Sequence, residues 1–206
     1  MQPVEHERIV QAVAAAEHGS VALVLPETRL SRILDALING IGRAVSWLWV
    51  VLIAIIMVNV VMRYAFGLGL IVFEELQWHI YAVGFMIGLS FGVVGDRHVR
   101  IDVLADRFAP RSRAWIEFFG LLLFLLPFAL LIAWDAIPFV TRSWAVGEVS
   151  VAPGGLPARW ALKSVIVIAL VMLAIAAFSR LSRVSAFLFG VPQPLSDPDA
   201  PSRPAG

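Results

Sequence analysis

Polar groups set inside long apolar stretches are the first candidates for chemistry in this chain. A polar side chain in hydrocarbon is costly and is kept there for a reason. Asn59, His79 and Asp135 are of this kind. An amide at Asn59 calls for a hydrogen-bond partner on another helix. His79 has the chemistry to bind haem, move protons or hold a metal, and equally to be a packing or interfacial histidine. Bis-histidine haem needs a second buried imidazole, and His6, His18 and His98 all lie outside the apolar runs. Asp135 is expected to pair with Arg142 at one membrane face, a structural rather than catalytic role. A fourth constellation is Glu74 and Glu75 with Arg63, separated by a glycine-containing turn. It reads either as a solvated ion cluster or as a docking element for a larger partner, where shielded carboxylates need matching cations.

The elements that must position these residues are four apolar runs, at about residues 44–62, 76–95, 118–134 and 164–179. A helix rises about 1.5 Å per residue and a bilayer core is about 30 Å thick, so roughly 20 apolar residues make a span. The last run qualifies if Lys163 and Arg180 snorkel at its ends. With 60% apolar and 15% charged residues, the composition is too apolar for a soluble domain. Nor do the runs keep the polar face, at a period near 3.6 residues, that a soluble bundle helix needs. The expected fold class is all-α: an integral membrane four-helix protein with interfacial amphipathic segments.

Basic residues set the expected orientation. Arg29, Arg32, Arg43, Arg97, Arg100, Arg107, Arg111, Arg113, Arg180 and Arg183 fall on one side, and Arg63, Arg142, Arg159 and Lys163 on the other. Arginine and lysine in short loops stay in the cytoplasm, so both termini and the central loop are expected inside. There is no cysteine, which excludes disulfides, thiolate metal sites and a cysteine nucleophile. Residues 1–20 carry Glu5, Glu7 and Glu17 and lack the pattern of a signal peptide, so the first span is expected to act as an uncleaved anchor.

Along the chain, residues 1–30 read as a cytoplasmic extension, 31–186 as the membrane domain and 187–206 as a disordered tail rich in Pro, Ser and Asp. Ser31 to Gly42 has apolar residues at helical spacing, either an interfacial lead-in or the early turns of span one. Gly67 and Gly69 permit a tight reversal, and Glu74 and Glu75 sit where the positive end of the next helix favours carboxylates. Val151 to Pro157 cannot be regular helix, and Pro127 predicts a kink in span three. Carriers build a midplane site from matched broken helices, and no second break pairs with Pro127. The chain reads as a scaffold or accessory membrane subunit without catalytic, substrate-binding, metal or cofactor residues and without a nucleic-acid partner. Two further readings stand beside it: a haem-holding electron-transfer anchor and a homo-oligomeric channel or exporter.

The order Asn59-x-x-x-Arg63-Tyr64-x-Phe66, Glu74-Glu75-Leu76, Gly95-x-x-His98-Val99-Arg100-Ile101-Asp102 and Leu156-Pro157-x-x-Trp160 on a four-span frame resembles the small permease subunit of tripartite ATP-independent periplasmic (TRAP) transporters. The resemblance covers about residues 31–186. It implies a bacterial inner-membrane protein that partners a large permease subunit, membrane lipids and a periplasmic solute-binding protein, in sodium-coupled uptake of an organic acid. It further implies that Asn59, Arg63, Glu74 and Glu75 belong to a subunit interface and His98, Arg100 and Asp102 to the cytoplasmic connector. The extension before residue 31 gets no explanation from it.

Overall fold

The computed structural model describes residues 25–94 and 108–193. Four helices carry the described chain, with no strand among these residues: α1 (Arg29–Phe66), α2 (Ile71–Val94), α3 (Pro110–Ala145) and α4 (Arg159–Phe189). All four are long and apolar enough to cross a membrane. They lie over the four apolar runs and continue past them. The 38 residues of α1 make a rod of about 57 Å, well beyond a bilayer core. Ser31 to Gly42 forms the early turns of this rod, not a separate interfacial segment.

Local chemistry sets the helix ends. Thr28 caps α1 through a reciprocal box in which its hydroxyl accepts from the Ser31 amide at 3.0 Å and the Ser31 hydroxyl accepts from the Thr28 amide at 3.0 Å. Two otherwise unpaired amide donors are thereby satisfied. At the other end Gly67 adopts φ 68°, and the Leu68 amide turns back to the Met62 carbonyl at 3.0 Å. That left-handed position favours glycine, while Gly69 keeps an ordinary φ. The reversal therefore rests on Gly67.

The expected kink in α3 takes a specific form. Pro110 opens the helix in its first turn, where its missing N–H costs nothing. At Gly120–Leu125 the helix widens into a π turn, and the Leu126 amide bonds to the Leu121 carbonyl, five residues back. Pro127 follows at once. It cannot donate and its ring crowds the preceding turn, so an extra residue in the turn before it relieves the clash. Pro138 lies within the same helix, which continues through it to Ala145.

α4 is the hub of the assembly and packs against α1, α2 and α3, whereas α3 packs chiefly against α4 alone. Small residues make the hub possible: Ala169, Ala174, Ala176, Ala177 and Ser179 are buried on α4 and let neighbouring backbones approach. Ser90 of α2 donates to the Ala169 carbonyl at 3.4 Å across this seam. Elsewhere the apolar surface faces outward. Only 6% of the most apolar window of α1 and 28% of that of α4 are buried inside the protein. In water such a surface would aggregate; in lipid it is the expected face.

A polar network that sequence spacing did not suggest closes the end of the molecule opposite the α1–α2 turn. The Ser179 hydroxyl donates to Asp35 at 2.5 Å, Arg183 approaches the same carboxylate at 3.6 Å, and the Thr28 and Ser182 hydroxyls meet at 3.2 Å. Arg180, expected to snorkel, instead turns inward, 7% exposed, and pairs through Nε with Glu117 of α3. Lys163, the other expected snorkeller, pairs with Glu148 and sits 4.0 Å from the Phe139 ring centre. Asp135 and Arg142 make no ion pair. They stand seven residues apart on one helix, about 10 Å along its axis, so the expected pair is out of reach.

Candidate functional site

The first turn of α2 brings three of the interface candidates together and sends the fourth elsewhere. Asn59 and Arg63 lie one turn apart on α1, and Glu74 faces them from α2, where Arg63 Nη2 donates to its carboxylate. The pair is about half exposed, so its strength depends on what surrounds it. These three residues line a 570 Å³ cleft with Leu52, Ile56, Gln77, Trp78 and Tyr81. Within the described residues the Asn59 amide oxygen and the Gln77 amide nitrogen are buried without a hydrogen-bond partner. The expected interhelical bond of Asn59 is thus not made among the described residues. An unmet donor and an unmet acceptor on the wall of one apolar cleft are a costly arrangement for an isolated molecule.

Glu75 points the other way, into the connection between α3 and α4. One carboxylate oxygen accepts from the Ser150 hydroxyl and the other from the Leu156 amide at 2.5 Å. The loop is shaped to receive it: Ser150 donates its amide to the Leu156 carbonyl at 3.1 Å, and Gly155 donates to Ala152 at 2.9 Å. Gly155 leaves the space needed, since a Cβ there would lie 2.5 Å from Ser150 Cβ and 2.9 Å from the Glu75 carboxylate. The stretch Val151 to Pro157 is non-helical, as expected, and its irregular backbone is what gives an amide to the carboxylate.

A second ion pair braces the same loop. Glu148 accepts from Lys163 at the start of α4, and its backbone carbonyl accepts from the Arg159 amide at 3.0 Å. The Lys163 hydrogen bond foremost, with the charges of Lys163 and Arg159 behind it, holds the Glu148 carboxyl below the ordinary carboxylate range. Trp144 and Trp160 meet edge to face at 4.3 Å beside it. His79 joins α2 to itself: its Nδ1 lies 2.6 Å from the Glu75 carbonyl and donates to it.

The candidates therefore separate into two groups. Asn59, Arg63 and Glu74 face a cleft on the α1–α2 flank, while Glu75 fastens the α3–α4 loop onto α2. His98, Arg100 and Asp102 lie outside the described residues. Gln77, Ser150, Gly155 and the Glu148–Lys163 brace escaped the sequence reading. Only the run of loop-forming residues around Gly155 hinted at them.

No curated protein and no solved structure gives a match to this chain. A family match covers residues 52–186, from the middle of α1 almost to the end of α4, and so takes in the cleft, the clasp and the hub helix. On that match the chain belongs to the family of the DctQ component of tripartite ATP-independent periplasmic transporters, the small membrane subunit of such a system.

Proposed function

We propose that this chain is the static membrane partner of a large permease subunit, in a sodium-coupled system that takes up an organic acid delivered by a periplasmic binding protein. It sits in the bacterial inner membrane with both termini in the cytoplasm and performs no reaction of its own. The observation that carries this reading is the cleft beside Asn59: an unmet amide acceptor and an unmet amide donor, with the Arg63–Glu74 pair at its edge, on an outer face of the helices. Both side chains line the cleft, so a partner helix that turns the two amides toward it, bringing one donor and one acceptor, satisfies both. Asn59, Arg63 and Glu74 are the contact residues in this reading, and Glu75 supports them by holding the loop. His98, Arg100 and Asp102 form the connector on the cytoplasmic side, as the family resemblance implies.

The test is sodium-driven uptake by the large subunit and binding protein, expressed with and without this chain. Uptake that is undiminished in its absence removes the reason for the proposal. At the contact, Asn59→Leu should weaken co-purification with the large subunit by roughly three- to twentyfold, the worth of an interhelical hydrogen bond of about 0.6 to 1.7 kcal/mol.

A further inference from the structure

We infer that the groove between α1 and α2 at Arg43 is a binding site for one anionic phospholipid. The inference rests on the membrane reading alone and is independent of the subunit proposal. The groove has a volume of 250 Å³ and is lined on one side by Gly42, Val45 and Trp49 and on the other by Gly84, Ile87 and Phe91. Its shape comes from missing side chains. A Cβ at Gly42 would lie 2.7 Å from the Phe91 ring and one at Gly84 3.2 Å from the Trp49 ring, so the two helices close tightly at those points. Gly88, between them, has nothing within 4 Å of where its Cβ would stand. The result is an apolar slot of acyl-chain character, open where Gly88 withholds a side chain.

Charge decides what fills it. Arg43 also lines the groove, and it immediately precedes the apolar run that starts at Ala44, which places it at headgroup depth. Its side chain is exposed, and among the described residues no carboxylate lies within 4.0 Å of it. Ser46, one turn on, also lines the groove and spends its proton on the Arg43 backbone carbonyl at 2.7 Å, so it offers the headgroup no donor and leaves anion binding to Arg43. A guanidinium at a membrane surface binds a phosphate diester with two parallel hydrogen bonds. A phospholipid supplies both parts in the order the groove presents them, phosphate at Arg43 and hydrocarbon along Val45, Trp49 and Ile87 toward the bilayer interior. An anionic headgroup is preferred over a zwitterionic one because Arg43 brings a positive charge that no carboxylate among the described residues offsets.

The experiment is native mass spectrometry of the full chain after reconstitution in bilayers of equal parts phosphatidylglycerol and phosphatidylcholine. The wild type should retain one lipid, with phosphatidylglycerol enriched about fivefold, the equivalent of about 1 kcal/mol for one cation at an anionic surface. Arg43→Gln should keep the lipid and lose the enrichment. Gly88→Leu, which fills the slot from a position with free space, should lose the lipid itself, with helix content by circular dichroism unchanged. Ser46→Leu fills it from the other helix and should do the same, so a folding defect in one variant does not remove the test. No retained lipid in the wild type, retention without headgroup preference, or variants that match the wild type would each overturn the inference. So would expulsion of the lipid on assembly with the large subunit, if Gly88→Leu at the same time blocked that assembly, since the groove would then belong to a protein helix.

Discussion

Glu75 shows how one carboxylate at a helix start serves tertiary structure. Its position in the first turns of α2 is favourable in any case, because the unpaired amides there carry partial positive charge. What distinguishes it from Glu74 is the loop it holds through Ser150 and the Leu156 amide. Glu75→Gln keeps the shape, removes the charge and turns one acceptor oxygen into a donor, so it should loosen residues 148–158 while leaving the helices intact. Faster amide exchange confined to that loop is the expected readout, and exchange unchanged from wild type would count against the clasp. Gly155→Ala should reproduce the effect by steric means, since its methyl would collide with Ser150 and Glu75. Glu148 gives the loop a pH dependence. Its carboxyl is held below the ordinary value near 4.5, so the Lys163 brace is complete above that pH. It is lost as pH falls through the lowered value. Protection of the loop from exchange, taken relative to the unstructured rate at each pH, should therefore be flat around neutrality and fall only in acid, and Lys163→Met should lower it at neutral pH.

At the scale of helices, α3 depends on one neighbour, α4, and on one buried charge pair. It meets α4 through small residues, with Ala114 and Leu121 packed against Ala177, Leu181 and Val184. Arg180 and Glu117 join the two helices where both side chains are largely withdrawn from solvent, 7% and 16% exposed. Removing one member of such a pair withdraws a close counter-charge from the other, at up to about 3 to 5 kcal/mol. Glu117→Ala should therefore lower stability by about that much in a denaturation titration in detergent or lipid, and the loss should be much smaller in the double variant with Arg180→Met. Equal losses in the single and double variants would mean the pair is not coupled. The π turn before Pro127 belongs to this scale too. Pro127 is visible in the sequence as a missing donor, but the form of the relief, one extra residue in the turn, depends on how Gly120 to Leu126 pack.

For the molecule as a whole, the arrangement is a hub with unequal coverage: α1 and α2 pair on one flank of α4, and α3 leans on α4 with most of its large apolar side chains outward. Orientation is open to direct test, because the chain has no native cysteine. A membrane-impermeant maleimide should label Gly69→Cys and Gly154→Cys from the outside of intact spheroplasts and reach Gln193→Cys only after lysis; the reverse pattern would invert the proposed topology. The sequence by itself determined the four helices, a reversal in the stretch holding Gly67 and Gly69 and the irregular connection before α4. Span length is set by bilayer thickness, and every backbone group in lipid must be paired within its own helix, so these features are written in local composition. Only the tertiary structure decided which polar groups meet. Glu75 finds partners 75 and 81 residues away, Arg180 turns inward to Glu117, Asp135 misses Arg142, and the Asn59 amide oxygen finds no partner among the described residues. The physical reason is that a nearly uniform apolar helix has no hydrophobic face to fix its rotation. Small-residue packing fixes it instead, and with it the direction in which each polar side chain points.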